Sequence, residues 1–535
     1  MSNSPPERFY IDVLRDLYRA DPGQEVVVGK SRWTLPEFGE DVVRMARGLY
    51  DLGLRPGSTV ATLLPTGIDA MASFFALSML GCVAVPISVR LKTDEAAYLL
   101  GDAQVDAVLL TTEHEHRVPV GRLIQDVVAE YPAAAPKFAV DLNRAVTPAG
   151  AARPGWLHGR EALDQDFDDL SPEWSAPGPA PEPVTLLYSS GSTAQPKGVI
   201  LHETQMVRKS QAWAGYFAGL ERGDRLWNPL PFFHVGGISV LLAAFLAEAT
   251  YLTDVFFQAE AALEQIEAEG ATFLWPGFTT ILYDLVRSPR FAQADLGSVR
   301  AIGAAGPPEV LTDLQRHFPS TPMVTVYGTT ETGGIVTVTR RDDPEPQRLT
   351  TTGRPLPGLE LRIDRSDGRE TSTDGEMTAG EILVRGYSTC TSYYRKPEQT
   401  AELLAGDGWI RTGDLGWLDG DGWLHFAGRL KDIVRAGGEN ISAAELEAVL
   451  NTHEAVVLTQ VIAIPHQRLG EVPVAFVELH TGREVSEEEL LEHCRTRLAR
   501  FKWPARVIAV TEWPMSSTKV QKFKLRELVP DVAQG

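Results

Sequence analysis

From Thr59 onward the chain alternates between two kinds of segment. Short apolar runs at 60–64, 83–87 and Ala107–Leu110 are separated by stretches of helical periodicity at 69–80 and Thr93–Ala103. Runs of strand length that alternate with helices imply βαβ units, and these give a mostly parallel sheet covered on both faces. Ligands of such sheets sit outside the carboxyl ends of the strands. The 535 residues exceed one ordinary domain at ~100–200 residues per folding unit, so several units are expected. A hydrophobic share of 44% beside 23% charged residues belongs to a globular chain with a large core, and it leaves enzymes in play.

A formal net charge of −21 excludes a sequence-independent grip on nucleic acid, which needs Lys and Arg to meet phosphate. Cys82, Cys390 and Cys494 stand far apart without CxxC spacing, so neither a disulfide framework nor a zinc ribbon is predicted and a reducing cytoplasm is expected. The first ten residues lack a basic segment followed by an apolar one, so no signal peptide is read there. The longest largely apolar run, 238–247, stops at Glu248, short of the ~20 residues of a membrane span, and predicts a buried helix.

The stretch 147–183 is rich in Pro, Ala, Gly and Asp, and reads as a surface connection. No internal repeat is apparent. Asp419-Gly420-Asp421-Gly422 lies between two strand-like segments and predicts a hairpin turn. Between Arg495 and Arg526 nine Lys/Arg face one acid, Glu512; this is either a solvated basic face or a surface for an anionic ligand. His114-Glu115-His116 is too compact for a usual metal site and reads as a solvated loop.

The segment Ser189-Ser190-Gly191-Ser192-Thr193-Ala194-Gln195-Pro196-Lys197 carries the strongest chemical signal. Small hydroxylated residues and glycine let several N–H and O–H donors converge on oligophosphate oxygens, and Lys197 adds a charge. It departs from the Walker pattern, having neither the first Gly nor a Ser/Thr after the lysine. Apolar runs on either side, at 184–187 and 199–201, argue against a free linker.

Here the chain resembles the adenylate-forming superfamily of acyl- and aryl-CoA synthetases, luciferases and peptide-synthetase adenylation domains. The resemblance continues in order through Pro231-Phe232-Phe233-His234-Val235-Gly236-Gly237, Gly303-Ala304-Ala305-Gly306-Pro307, Tyr327-Gly328-Thr329-Thr330-Glu331-Thr332, Arg411-Thr412-Gly413-Asp414, Gly428-Arg429-Leu430-Lys431-Asp432, Arg435-Ala436-Gly437-Gly438 and Ser516-Ser517-Thr518-Lys519. It implies an α/β fold, with a large N-terminal region of stacked α/β subdomains (1–428), a hinge (429–431) and a small mobile α+β C-terminal domain (432–535). It implies ATP, Mg2+ and coenzyme A as cofactors. The phosphate loop would be Ser189, Ser190, Gly191, Ser192, Thr193 and Lys197. Gly306 would lie along the adenine and Tyr327 would stack on it, Thr330 would contact phosphate, and Glu331 would hold magnesium. Asp414 would accept from the ribose hydroxyls, Arg429 would bind ribose or phosphate, and Gly437 and Gly438 would flank the pantetheine arm. Lys431 would be the pivot. Lys519 would sit between the carboxylate and the α-phosphate and, with Thr330, Glu331 and His234, completes the catalytic candidates.

The acid pocket, by the same resemblance, is Phe232, His234, Gly236, Trp275, Gly277, Phe278 and Gly303, which suits a bulky apolar or aryl acid. Peptide-synthetase domains place an Asp near the pocket motif to pair with an ammonium; here Phe232-Phe233-His234 offers none, favouring an acid without an α-amino group. The acceptor thiol is expected to be that of coenzyme A, with a carrier protein as the alternative; no membrane span is expected, and a homodimer stays open. The family's glycines are replaced by Ala194 and Thr518. If those positions need φ > 0, Ala costs ~1 kcal/mol and Thr more. That leaves a variant that only thioesterifies a supplied acyl-adenylate among the readings, beside luciferase-like oxidation and a non-catalytic nucleotide binder.

Overall fold

The computed structural model describes residues 8–21, 23–143, 156–158, 184–189, 196–215, 219–365, 371–372, 378–436, 439–466, 469–498, 500–515 and 520–529. The alternation that opens at Thr59 becomes strand Thr59–Leu63, helix Ile68–Leu80, strand Val83–Pro86, helix Thr93–Ala103 and strand Ala107–Leu110. Residues 107–110 are buried throughout, as a strand covered on both faces requires. Two seven-stranded sheets result.

In the first, the order across the sheet is Trp156–His158, Phe138–Asp141, Ala107–Leu110, Thr59–Leu63, Val83–Pro86, Val184–Ser189, Lys197–His202. In the second it is Met323–Val324, Ala301–Ala305, Phe273–Phe278, Arg225–Trp227, Thr250–Thr253, Glu25–Val28, Ser31–Thr34. Both are parallel except for one antiparallel edge pair. In both, the first five strands in this order run fifth, fourth, third, first, second by chain position, so a topology recurs that the sequence shows no repeat of. The order reverses between Arg225–Trp227 and Phe273–Phe278, and the crevice at the carboxyl ends of such a pair is where ligands of doubly wound sheets bind.

Antiparallel sheets follow. Val326–Thr329, Gly334–Val338 and Arg354–Pro355 form one. Leu359–Asp364, Thr378–Gly386, Trp409–Leu418 and Leu424–Arg429, with Thr371–Ser372 beside Thr378–Gly386, form the next. The predicted turn at 419–422 joins Trp409–Leu418 to Leu424–Arg429, with Leu418 opposite Leu424 and the Asp419 carboxylate accepting from the Asp421 and Trp423 amides. After a single 3-10 turn, Leu430–Asp432, a separate C-terminal domain builds its sheet from Ile433–Ala436, Glu439–Ser442, Val456–His466, Gly470–Leu479 and Arg506–Val510. Its apolar clusters draw only on residues from Val434 onward.

Two expectations change. The stretch 147–183 is not simply a connection: Trp156–His158 pairs in parallel with Ala139, Val140 and Asp141 and forms the edge strand of the first sheet. The rest of that stretch lies outside the described residues. Four residues of the basic run pair with acids: Arg495 with Glu488 on its own helix, and Lys502 with Glu445, Arg506 with Glu487, and Lys522 with Glu447 and Asp432 on other elements. The run 238–247 is, as expected, mostly inside a buried helix, Val235–Leu246. No described helix is long and apolar enough to cross a membrane, and all three cysteines are buried free thiols.

Candidate active site

The phosphate-loop candidates begin where strand Val184–Ser189 ends and finish where Lys197–His202 starts, and Ser189 and Lys197 stand opposite each other in the antiparallel ladder. The loop is thus clasped by two paired strands. Ser190, Gly191, Ser192, Thr193 and Ala194 lie outside the described residues. Ser189 Oγ donates to Glu331 Oε1 at 3.1 Å, so residues 142 positions apart converge.

Glu331 sits in the turn between Val326–Thr329 and Gly334–Val338. Buried Thr332 shapes that turn: its hydroxyl oxygen accepts from the Thr329 amide at 2.9 Å and lies 2.8 Å from the Gly334 carbonyl. Gly328 packs so closely on Gly334 that a Cβ would overlap its carbonyl, which explains the glycine inside this motif. Thr330 is half-exposed beside Glu331. A residue the sequence reading missed, Tyr393, donates its hydroxyl to Glu331 Oε1 at 3.0 Å. Its ring lies 4.9 Å from Lys197 Nζ. Burial, and then the Glu331 charge, push the Tyr393 phenol far up, so it stays a donor. Residues 392–394 arrive here by pairing with Lys197–His202, with Tyr394 N donating to Gly198 O at 2.7 Å; nothing local in Tyr393-Tyr394 announces that long-range pairing.

A second cluster joins Tyr327, Asp414 and Arg429. Asp414 is 3% exposed; its Oδ2 accepts from the Tyr327 hydroxyl at 2.9 Å and its Oδ1 lies 3.2 Å from Arg429 Nε. Asp414 and Arg429 are direct cross-strand partners, which fixes that pairing in the backbone. Burial and the Asp414 charge hold the Tyr327 phenol well above its usual range. Phe426, also missed, is 41% exposed with its ring 5.9 Å from that of Tyr327. Its signal was the alternation of the hairpin strand, which puts Phe426 opposite in face to His425.

The pocket candidates gather at the crevice where the second sheet reverses its order. Pro231 to His234 follow Arg225–Trp227, Trp275, Gly277 and Phe278 close Phe273–Phe278, and Gly303 and Gly306 fall in or just after Ala301–Ala305. His234 caps helix Val235–Leu246 at its N-terminus, and its ring lies 6.2 Å edge-on from Phe278, which is 43% exposed. Phe232 is buried. Trp275 is 2% exposed, lies over Gly303 where a Cβ would overlap the indole, and meets Trp213 edge-on at 4.9 Å. Leu230 fills the space left by Gly236 and Gly277, where Cβ atoms would stand 2.9 and 2.6 Å from its Cδ1. Gly306 packs on Thr279.

The match of the AMP-binding enzyme family spans residues 15–394, and that of the AMP-binding enzyme C-terminal domain spans 445–520. The chain belongs to the AMP-binding enzyme family. This AMP-binding enzyme is 32% identical over 496 residues to the indoleacetate–CoA ligase of Aromatoleum aromaticum, covering 91% of each chain. It is 29% identical over 523 residues to the mitochondrial medium-chain acyl-CoA ligase ACSF2 of Danio rerio, covering 93% of this chain and 84% of that one. Its fold superposes with a TM-score of 0.83 and 25% identity on the anthranilate CoA ligase AuaEII in complex with anthranoyl-AMP, over 99% of both chains. Membership carries the enzyme class the motifs led us to expect, AMP-forming acid–thiol ligation with ATP, Mg2+ and coenzyme A.

In this AMP-binding enzyme the donor set suits Mg·ATP. Among the described residues no three His, Cys, Asp or Glu gather as a metal cage. A lone carboxylate such as Glu331 is nevertheless what a hard cation takes when phosphate and water complete its shell. Lys431 lies in the 3-10 turn Leu430–Asp432, between strands Leu424–Arg429 and Ile433–Ala436. Gly437, Gly438, Thr518 and Lys519 lie outside the described residues.

Proposed function

We propose that this protein joins a carboxylic acid lacking an α-amino group, bulky and apolar or aryl in body, to the thiol of coenzyme A through an acyl-adenylate. The observation that carries this reading is the Tyr327–Asp414–Arg429 cluster, a buried acceptor-only carboxylate between a phenol and a guanidinium. Such a carboxylate suits a vicinal diol, and the guanidinium beside it suits phosphate. Tyr327 and exposed Phe426 offer aromatic surface for a purine.

In this reading Ser189, Thr330 and Lys197, with the loop between Ser189 and Lys197, hold the phosphates, and Glu331 holds Mg2+. The bound ion would neutralise charge on the departing pyrophosphate. Ser189 and Tyr393 fix the Glu331 carboxylate by donating to it. Phe278, His234 and the wall of Trp275 orient the acid. Lys519, from the C-terminal domain, stabilises charge as a carboxylate oxygen bonds to the α-phosphorus and the bond to pyrophosphate breaks. Rotation about Lys431 then replaces that face with the one bearing Gly437 and Gly438, and the thiol sulfur takes the acyl carbon while AMP leaves with the oxygen.

Incubation with ATP, Mg2+, coenzyme A and a varied acid library, followed by mass spectrometry, tests the proposal. The expected result is AMP and one or more acyl-CoA products, with both lost in Asp414→Ala. Pyrophosphate and retained acyl-adenylate without thioester would move the acceptor to a carrier protein. No pyrophosphate exchange with any acid, while a supplied acyl-adenylate is converted to thioester with release of AMP, would replace the full cycle with the second half alone. Undiminished turnover in Asp414→Ala would remove the nucleotide site from this cluster.

A further inference from the structure

Helix Glu203–Trp213 buries Met206, Val207, Ser210 and Trp213, and Lys209 lies among them with 0% exposure. Its Nζ donates to Ser239 Oγ at 2.6 Å and to the carbonyl oxygen of Gly333. Both partners are neutral. An ammonium has three donors, and burying a charge without a carboxylate is among the costlier arrangements a core can hold. Burial pushes the amine down to about 7. Methionine, unbranched and uncharged, would fill the same space without that cost.

The location gives the charge a use. Ser239 is on the helix that starts at Val235, directly after His234, and Gly333 follows Glu331 by two positions in the motif turn. At Gly334, whose φ is +97°, a Cβ would stand 2.9 Å from Lys209 Nζ and 3.2 Å from Val235 Cγ2. The ammonium therefore ties the helix that begins after His234, in the acid pocket, to the turn that carries Glu331, and Gly334 packs between it and the half-buried Val235. One helical turn along, Trp213 backs the indole of Trp275.

We propose that the Lys209 ammonium recognises an oxygen acceptor, ketone or carboxylate, carried by the acid at the end remote from its reacting carboxylate. This rests on the acid–thiol ligase reading and names the substrate class for it: an apolar or aryl body held by aromatic walls, ended by an acceptor held by Lys209. A charge-assisted hydrogen bond at a buried site is worth roughly 10- to 100-fold in specificity.

The test uses the full chain and matched acids that differ only at the remote end: octanoic acid against its terminal methyl-ketone and dicarboxylate analogues, and para-ethyl- against para-acetyl-phenylacetic acid. The kcat/KM for AMP release is measured for each. Wild type is expected to favour the acceptor-bearing member of a pair about 10- to 100-fold. In Lys209→Met that ratio should collapse toward one, and Lys209→Arg should keep part of it. A wild-type preference for the plain acids, or an unchanged ratio in a folded Lys209→Met, overturns the assignment. If Lys209→Met does not fold, the wild-type ratios decide alone. Absence of AMP release with every acid would instead overturn the ligase reading.

Discussion

Asp254 follows strand Thr250–Thr253 with a side chain only 8% exposed, and its Oδ2 has no hydrogen-bond partner among the described residues. Burial raises its carboxyl from 3.8 to about 6. Because the folded value lies above the unfolded one, stability falls as pH rises from 3.8 to about 6, and the full penalty persists above that range. Asp254→Asn should therefore raise the melting temperature at pH 7.5, by the equivalent of roughly 1–3 kcal/mol at ~1.4 kcal/mol per pH unit, with the gap to wild type closing near pH 4. Melting curves at the two pH values check the sign. Tyr393 gives a second prediction, since its hydroxyl donates to Glu331 and does nothing else in the described structure that a phenylalanine ring would lose. Tyr393→Phe should raise the KM for Mg·ATP about 10-fold, the value of one hydrogen bond to a charged group, and leave the melting temperature within a few degrees. A KM within twofold of wild type would take Tyr393 out of the site.

At the scale of elements, His114-Glu115-His116 illustrates how a tertiary role hides in a plain motif. It is indeed a loop, but Glu115 turns back to accept from the amides of Gly121 and Arg122, both at 3.0 Å, at the start of helix Val120–Glu130. A carboxylate there satisfies orphan donors and complements the helix dipole. Glu115→Ala should cost about 1 kcal/mol, and Glu115→Gln less, as measured by chemical unfolding. The alternating apolar runs were legible because a fully buried strand and an amphipathic helix have different periods. The strand Trp156–His158 was not, because three residues carry no period and their stability comes from the edge they join. The basic run was likewise ambiguous: its charges are adjacent in sequence, whereas the acids that neutralise several of them, such as Glu445 and Glu487, come from other elements.

For the whole molecule, one cluster of buried residues runs from Tyr10 to Leu424 and ties the elements of both large sheets together. The C-terminal clusters take over from Val434. A fragment of residues 1–428 should therefore express as a folded protein with a single cooperative melt and no ligase turnover, because Lys519 lies beyond it; calorimetry and the AMP assay check both parts. An aggregated fragment would place the boundary elsewhere. The sequence by itself determined the α/β class, the order of the motifs and the residue types each chemistry needs, because these depend on local periodicity and on side-chain chemistry. The tertiary structure alone decided which motifs meet. Ser189 reaches Glu331, and Tyr327 reaches Asp414, across 142 and 87 positions. Strand order, edge pairing and the burial of Lys209 between a helix and a motif turn are long-range outcomes, and no window of neighbouring residues contains the partners that fix them.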